Sequence, residues 1–150
     1  MDLYRLRGRS WHIAALLLAL GCHPRRPLAE TGGIRVESGY AHPAAGDVAS
    51  AYLRVRNTGG SSDTLAEVTG GSFGHAMVMG TTGGRMEAMS PIVISPGQVV
   101  SMAPGGVHVM LEGVTSNPVI GDTMRLVLHF SRAGEIPIAI PVVAYGEMPE

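Results

Sequence analysis

From residue 34 onward, short runs rich in Val, Ile, Leu and Thr alternate with clusters of Gly, Pro, Asn and Asp every eight to twelve residues, and no long stretch carries a helical period. A chain punctuated in this way can bury its apolar faces only by stacking strands, so it is predicted to form an all-β sandwich or barrel. Strands are expected over 34–37, 51–56, 64–68, 73–79, 85–89, 99–102, 107–111, 124–130 and 136–143, with turns at 57–63, 103–106, 117–122 and 131–135. The last strand carries Pro137 and Pro141. Neither can donate to a ladder, which assigns this strand to a sheet edge or to a bulge, where proline also discourages edge-to-edge association. No internal repeat is present.

The 150 residues suffice for one domain, and no linker-like shift in composition divides them. The amino end has a different character. Arg5, Arg7 and Arg9 precede an apolar stretch over 13–21 that is short for a bilayer span, the pattern of an export signal. Gly21 before Cys22 resembles a bacterial lipobox, with Ala19 at the position where that motif favours leucine. The expected organisation is a signal over 1–21, a tether over 22–32, a β-sandwich domain over 33–145 and a tail over 146–150. Cys22 would carry a lipid that anchors the chain to a membrane, in the periplasm or elsewhere in the cell envelope.

Cys22 is the only cysteine, so the domain must hold without an internal disulfide. At this size folding buries roughly two-thirds of the unfolded chain's surface, which is enough. The net charge is −1 and lysine is absent, so no basic stripe is available to displace counterions from nucleic acid, and no nucleic-acid partner is expected.

One group of residues points to chemistry. His75, Met86, His108 and Met110 follow one another with ten, twenty-one and one intervening residues. Thioether sulfur and imidazole nitrogen together favour Cu(I), whereas Mg(II) and Ca(II) prefer oxygen ligands. Residues two apart on a strand share a face, so Val107, Val109 and Leu111 can enter the core while His108 and Met110 point outward together. His75 and Met86 flank Gly80-Thr81-Thr82-Gly83-Gly84, whose glycines suit a hairpin turn. Paired strands could bring these two side chains to one spot, and a second hairpin carrying His108 and Met110 would complete four ligands. Met77 and Met79 share a face with His75 and are auxiliary thioethers near the metal or ordinary packing. A blue-copper centre is disfavoured, because it needs a cysteine thiolate and the domain has none.

The spacing His75-x10-Met86-x21-His108-x-Met110 resembles the metal motif of the periplasmic copper chaperones called PCu(A)C, and likeness extends over 34–143. Residues 51–60 look like that family's early strand and turn, residues 104–111 like its second ligand strand and residues 133–135 like its last turn. The resemblance implies a cupredoxin-like sandwich that binds one Cu(I) and delivers it to the copper site of cytochrome c oxidase, through subunit II or another assembly chaperone. Two departures stand out: the family's acidic-Gly turn is replaced by Thr81-Thr82-Gly83-Gly84, and Ala76 follows His75 where glutamate or methionine is common.

The remaining candidates point elsewhere. Met89 and Met102 suit packing or a rim, and Met124 joins Leu126, Leu128 and Phe130 on a core face. His129, opposite that face, is expected in solvent; His42, before Pro43, is expected to be structural; Arg54 and Arg56 read as a solvated strand face. With no carboxylate pair or nucleophile-base set beside the four candidate ligands, an enzyme is not indicated. A copper-storage or resistance protein and a metal-free structural sandwich remain as alternatives.

Overall fold

In a computed structural model, described over residues 26–149, the chain forms eleven strands. They are β1 (Ala29–Thr31), β2 (Ile34–Ala41), β3 (Val48–Asn57), β4 (Asp63–Thr69), β5 (His75–Thr82), β6 (Arg85–Ala88), β7 (Ile92–Ile94), β8 (Val99–Ser101), β9 (His108–Glu112), β10 (Thr123–Phe130) and β11 (Gly134–Pro141). The export signal and Cys22 lie outside the described residues. Among the described residues, no helix is long and apolar enough to cross a membrane.

The strands build two sheets. One runs β1-β2-β3-β9-β5-β6, with β8 also paired to β3; the other runs β11-β10-β4-β7. All the strand pairs are antiparallel. A parallel bridge from Ala41 to Val142 ties the end of β2 to the segment after β11, closing the sandwich partway toward a barrel at that side. As the prolines predicted, β11 is an edge strand, and Pro137 and Pro141 both lie on its exposed face.

The alternation of side chains explains the core. Ile34 and Val36 from β2, Ala51, Leu53 and Val55 from β3, and Val109 and Leu111 from β9 face inward from the first sheet. They meet Met124, Leu126, Leu128 and Phe130 of β10 and Ile136, Ile138 and Ile140 of β11. Each large aliphatic side chain so buried contributes about 1.5–3 kcal/mol, the main favourable term available to a domain without cross-links.

Two strands escape the sequence pattern. β1 lies in the stretch expected to be tether and pairs with β2 through the turn at Gly32-Gly33, where both glycines adopt positive φ. β7, only three residues long, pairs with the start of β4. Both are too short for a period of two to stand out from the flanking loops.

Candidate metal centre

The central fact is the position of β9. It does not belong to a separate hairpin but lies between β3 and β5 in the larger sheet. Val109 and Leu111 are fully buried, so His108, Met110 and Glu112 occupy the opposite, outer face, as the alternation predicted. On β5 the same alternation turns Val78 inward and sets His75, Met77 and Met79 on the outer face.

Register decides which of these meet. His108 is the direct cross-strand partner of Met79, and Met110 of Met77. His75 pairs with Glu112, one step beyond Met110. Met86, on β6, pairs with Thr81, at the other end of β5. His75 and Thr81 are six residues apart, about 20 Å along an extended strand, whereas each candidate side chain reaches only about 5 Å from its Cα. His75 and Met86 therefore do not meet across the hairpin in this structure. Met77 and Met79 occupy the space between them, each beside a member of the His108/Met110 pair.

The turn is responsible for this offset. Gly83 and Gly84 have φ of 59° and 81°, the left-handed pair that a two-residue hairpin connection requires, and Thr82 pairs with Arg85 across them. That turn makes Met86 the partner of Thr81 and aligns Met89 with Val78, whose carbonyl accepts a hydrogen bond from the Met89 amide. Met89 then lays its sulfur over the inner side of Gly80, where a Cβ would meet Sδ at 2.0 Å. It is a packing residue at the rim, in keeping with the sequence, and Met102 is buried.

The environment of His108 suits a ligand. Its Nδ1 lies 3.0 Å from the Gly106 carbonyl oxygen. A carbonyl can only accept, so Nδ1 carries the proton and Nε2 presents a lone pair, the arrangement in which a histidine binds metal while its other nitrogen is held by the backbone. The ring is only 8% exposed and lies 6.2 Å from the ring of Tyr52, which stacks on Tyr40 at 4.9 Å. Burial, with a smaller contribution from Tyr52, pushes the Tyr40 hydroxyl above its ordinary value. Met77, Met79 and Met110 are half-buried, whereas His75 is exposed and Met86 is 59% exposed. Among the described residues, no group of three or more His, Cys, Asp and Glu side chains is placed to hold a metal, and the soft donors beside His108 are the thioethers of Met79 and Met110.

Periodicity did not reveal the aromatic wall. His42 is buried and ringed by Tyr40, Tyr52 and Tyr145 at 5.6, 5.1 and 4.7 Å, with its Nε2 unpaired. The Tyr145 hydroxyl donates to the Pro43 carbonyl at 2.8 Å and closes this corner. Only Tyr52 could have been suspected, since it alternates with the apolar residues of β3. His129 is not free in solvent: its Nε2 lies 2.7 Å from the Thr69 hydroxyl, away from the candidate centre. Arg54 and Arg56 are partly exposed, as expected, yet both are ion-paired to Glu37.

Comparison with known proteins adds a lineage. A family described as LpqE-like lipoproteins matches residues 34–142. The lipoprotein Lxx21020 of Leifsonia xyli subsp. xyli is 29% identical over 146 residues, covering 89% of this chain and 88% of that protein. Among solved structures, the apo PCuAC domain from PmoF1 shares 28% identity at a TM-score of 0.69, covering 77% of this chain and 98% of that domain. The copper-bound PCuAC domain from PmoF2 shares 26% identity at a TM-score of 0.69, with 77% and 97% covered.

Proposed function

Since the chain belongs to the LpqE-like family of lipoproteins and has the fold of PCuAC domains, we propose that it is an exported copper chaperone. Anchored to the cell envelope by a lipid on Cys22, it binds one Cu(I) through imidazole and thioether ligands. It delivers that ion to an envelope acceptor, the copper site of cytochrome c oxidase subunit II or another assembly chaperone.

The observation that carries this reading is the outer face of β9. His108, whose Nδ1 is held by the Gly106 carbonyl so that Nε2 is the nitrogen left for a metal, stands two residues from Met110 and beside a methionine-rich strand. Thioethers suit a carrier in an oxidising compartment, because they bind Cu(I) without forming the disulfides to which thiolates are prone. The motif spacing names His75, Met86, His108 and Met110 as ligands. His108 and Met110 form the rigid half of that set; His75 stands on β5 diagonally across from Met110, whereas Met86, on β6 near the turn, could join them only by rearrangement of the β5–β6 hairpin. The half-buried face shields the ion on one side and leaves it open to an acceptor on the other, so the metal can leave by ligand exchange.

The test uses the full chain under anaerobic conditions, titrated with Cu(I) against a chromophoric chelator and then mixed with the metal-free soluble domain of oxidase subunit II. The expected result is one tight equivalent, weakened in His108→Ala and passed to the acceptor. Binding without transfer to the subunit or to an assembly chaperone would favour storage or resistance. No tight equivalent would leave a structural sandwich.

A further inference from the structure

We propose that the outer face of the smaller sheet, at the side where Leu28 enters the domain, lies against the lipid bilayer to which Cys22 anchors the chain. The candidate metal face of the larger sheet then points away from the membrane. This rests on the lipid-anchor reading above and goes beyond it, since an anchor by itself fixes no orientation.

Alternation defines the surface. On β10 and β11 the buried residues alternate with Arg125, Val127, Pro137 and Ala139, which face outward. Arg125 pairs with Ala139, and Val127 with Pro137. These four, with Leu28 and Gly70, line a shallow hollow. Gly71 and Arg125 also border the next hollow, which reaches Pro118 and Asp122. The Asp122 carboxylate accepts a hydrogen bond from the Val119 amide at 2.9 Å and so holds the turn that carries Val119 and Ile120. Leu28, Val119 and Ile120 are 41%, 55% and 61% exposed. Burying such a group of apolar side chains against a partner is favourable.

Two observations identify that partner as lipid. The first is where the chain enters: Leu28 is fixed by its amide, which donates to the Val36 carbonyl at 2.8 Å. Cys22 precedes it by six residues, which keeps the anchor within about 20 Å of this face. The second is charge. Arg125 makes this end of the face positive, while Glu67 and Glu135 stand level with His129 at the other end of β10. Arg25 and Arg26 fall between Cys22 and Leu28. Basic residues beside exposed apolar ones suit an anionic bilayer, where each cation near the surface adds to the hold of a lipid chain. The sheets of a sandwich pack about 10 Å apart and their outer faces look in opposite directions. With the smaller sheet on the bilayer, His108 and Met110 face the aqueous side, open to a soluble acceptor domain.

The test uses the full lipidated chain, metal-free, in vesicles of phosphatidylethanolamine and phosphatidylglycerol. Trp11, the only tryptophan, falls in the expected signal, so a tryptophan introduced by substitution is the one reporter in the processed chain. Ile120→Trp should shift its emission to the blue and be quenched by brominated acyl chains. Met86→Trp, on β6 of the larger sheet, should keep the emission of a water-exposed ring. Arg125→Glu, combined with Ile120→Trp, should lessen the quenching. Mass spectrometry of the same samples reads the lipid on Cys22. A lipidated chain whose two reporters are quenched alike, or not at all, overturns the orientation and leaves the anchor standing. An unlipidated chain removes both. A blue shift of Ile120→Trp that appears without vesicles and grows with protein concentration means that a second copy covers the face, and overturns the bilayer as its partner.

Discussion

Single residues show how little cross-linking this domain needs. Asp63 is buried at the start of β4, and its carboxylate accepts hydrogen bonds from the backbone amides of Thr64 at 2.7 Å and of Arg132 and Ala133, both at 2.9 Å. It thereby ties the first residues of β4 to the turn between β10 and β11. Three amides bonded to one ionised side chain make a stronger tie than neutral contacts would. Asp63→Ala removes the acceptor of three part-buried amides and should cost about 1–3 kcal/mol, seen as a lower urea midpoint with an unchanged slope. Asn57 has a comparable role, donating to the carbonyls of Ser61 and Ile94 while its own oxygen accepts from Gly59. Neither anchor stands out in the sequence, where Asn57 and Asp63, at the two ends of a Gly- and Ser-rich run, read only as turn formers.

At the scale of the element, bulges and turns do the positioning. The register between β2 and β3 shifts between Val36 and Ser38, so Glu37 has no partner of its own in the ladder. Its carboxylate sits instead between two arginines, bonded to Arg56 Nε and, at 2.7 Å, to Arg54 Nε. Arg56, and to a lesser degree Arg54, hold this carboxyl below its usual range against the opposing effect of burial. A carboxyl lowered on folding adds stability above its unfolded pKa, about 4.3, and that contribution fades as pH falls through the lower folded value. The arginines are partly exposed, so Glu37→Gln should cost at most about 1 kcal/mol at pH 7. The gap between the two proteins should close below about pH 4, as urea midpoints at pH 7 and pH 3 would show. The β5–β6 hairpin gives the complementary lesson: its glycine pair sets which residues of β5 stand level with those of β6, and so sends His75 and Met86 to opposite ends.

For the whole molecule, the candidate metal face and the core are two sides of one sheet. β9 contributes Val109 and Leu111 to the interior and His108 and Met110 to the outer face, so a ligand on that face reinforces strands that also hold the core. Cu(I) bound to the folded chain alone should stabilise it by about 2.7 kcal/mol at free metal a hundred times the dissociation constant. For a domain of this size that corresponds to a rise in melting temperature of about 10 °C, measurable by anaerobic thermal unfolding with and without one equivalent. An unchanged melting temperature would mean that copper does not engage the folded sheet.

The sequence by itself determined the all-β class, nine of the strands, the edge position of β11, the inward face of β9 and the soft character of its outer face. These are properties that a period of two and the chemistry of side chains express locally. Only the tertiary structure decided which donors are neighbours. Spacing along the chain says that His75 and Met86 flank a turn, but their separation depends on which glycines make that turn. The neighbours of His108 are set by the pairing of β9 with β3 and β5, strands distant from it in the chain. Register between such strands follows from the packing of the core faces on their other side, and no local pattern contains it.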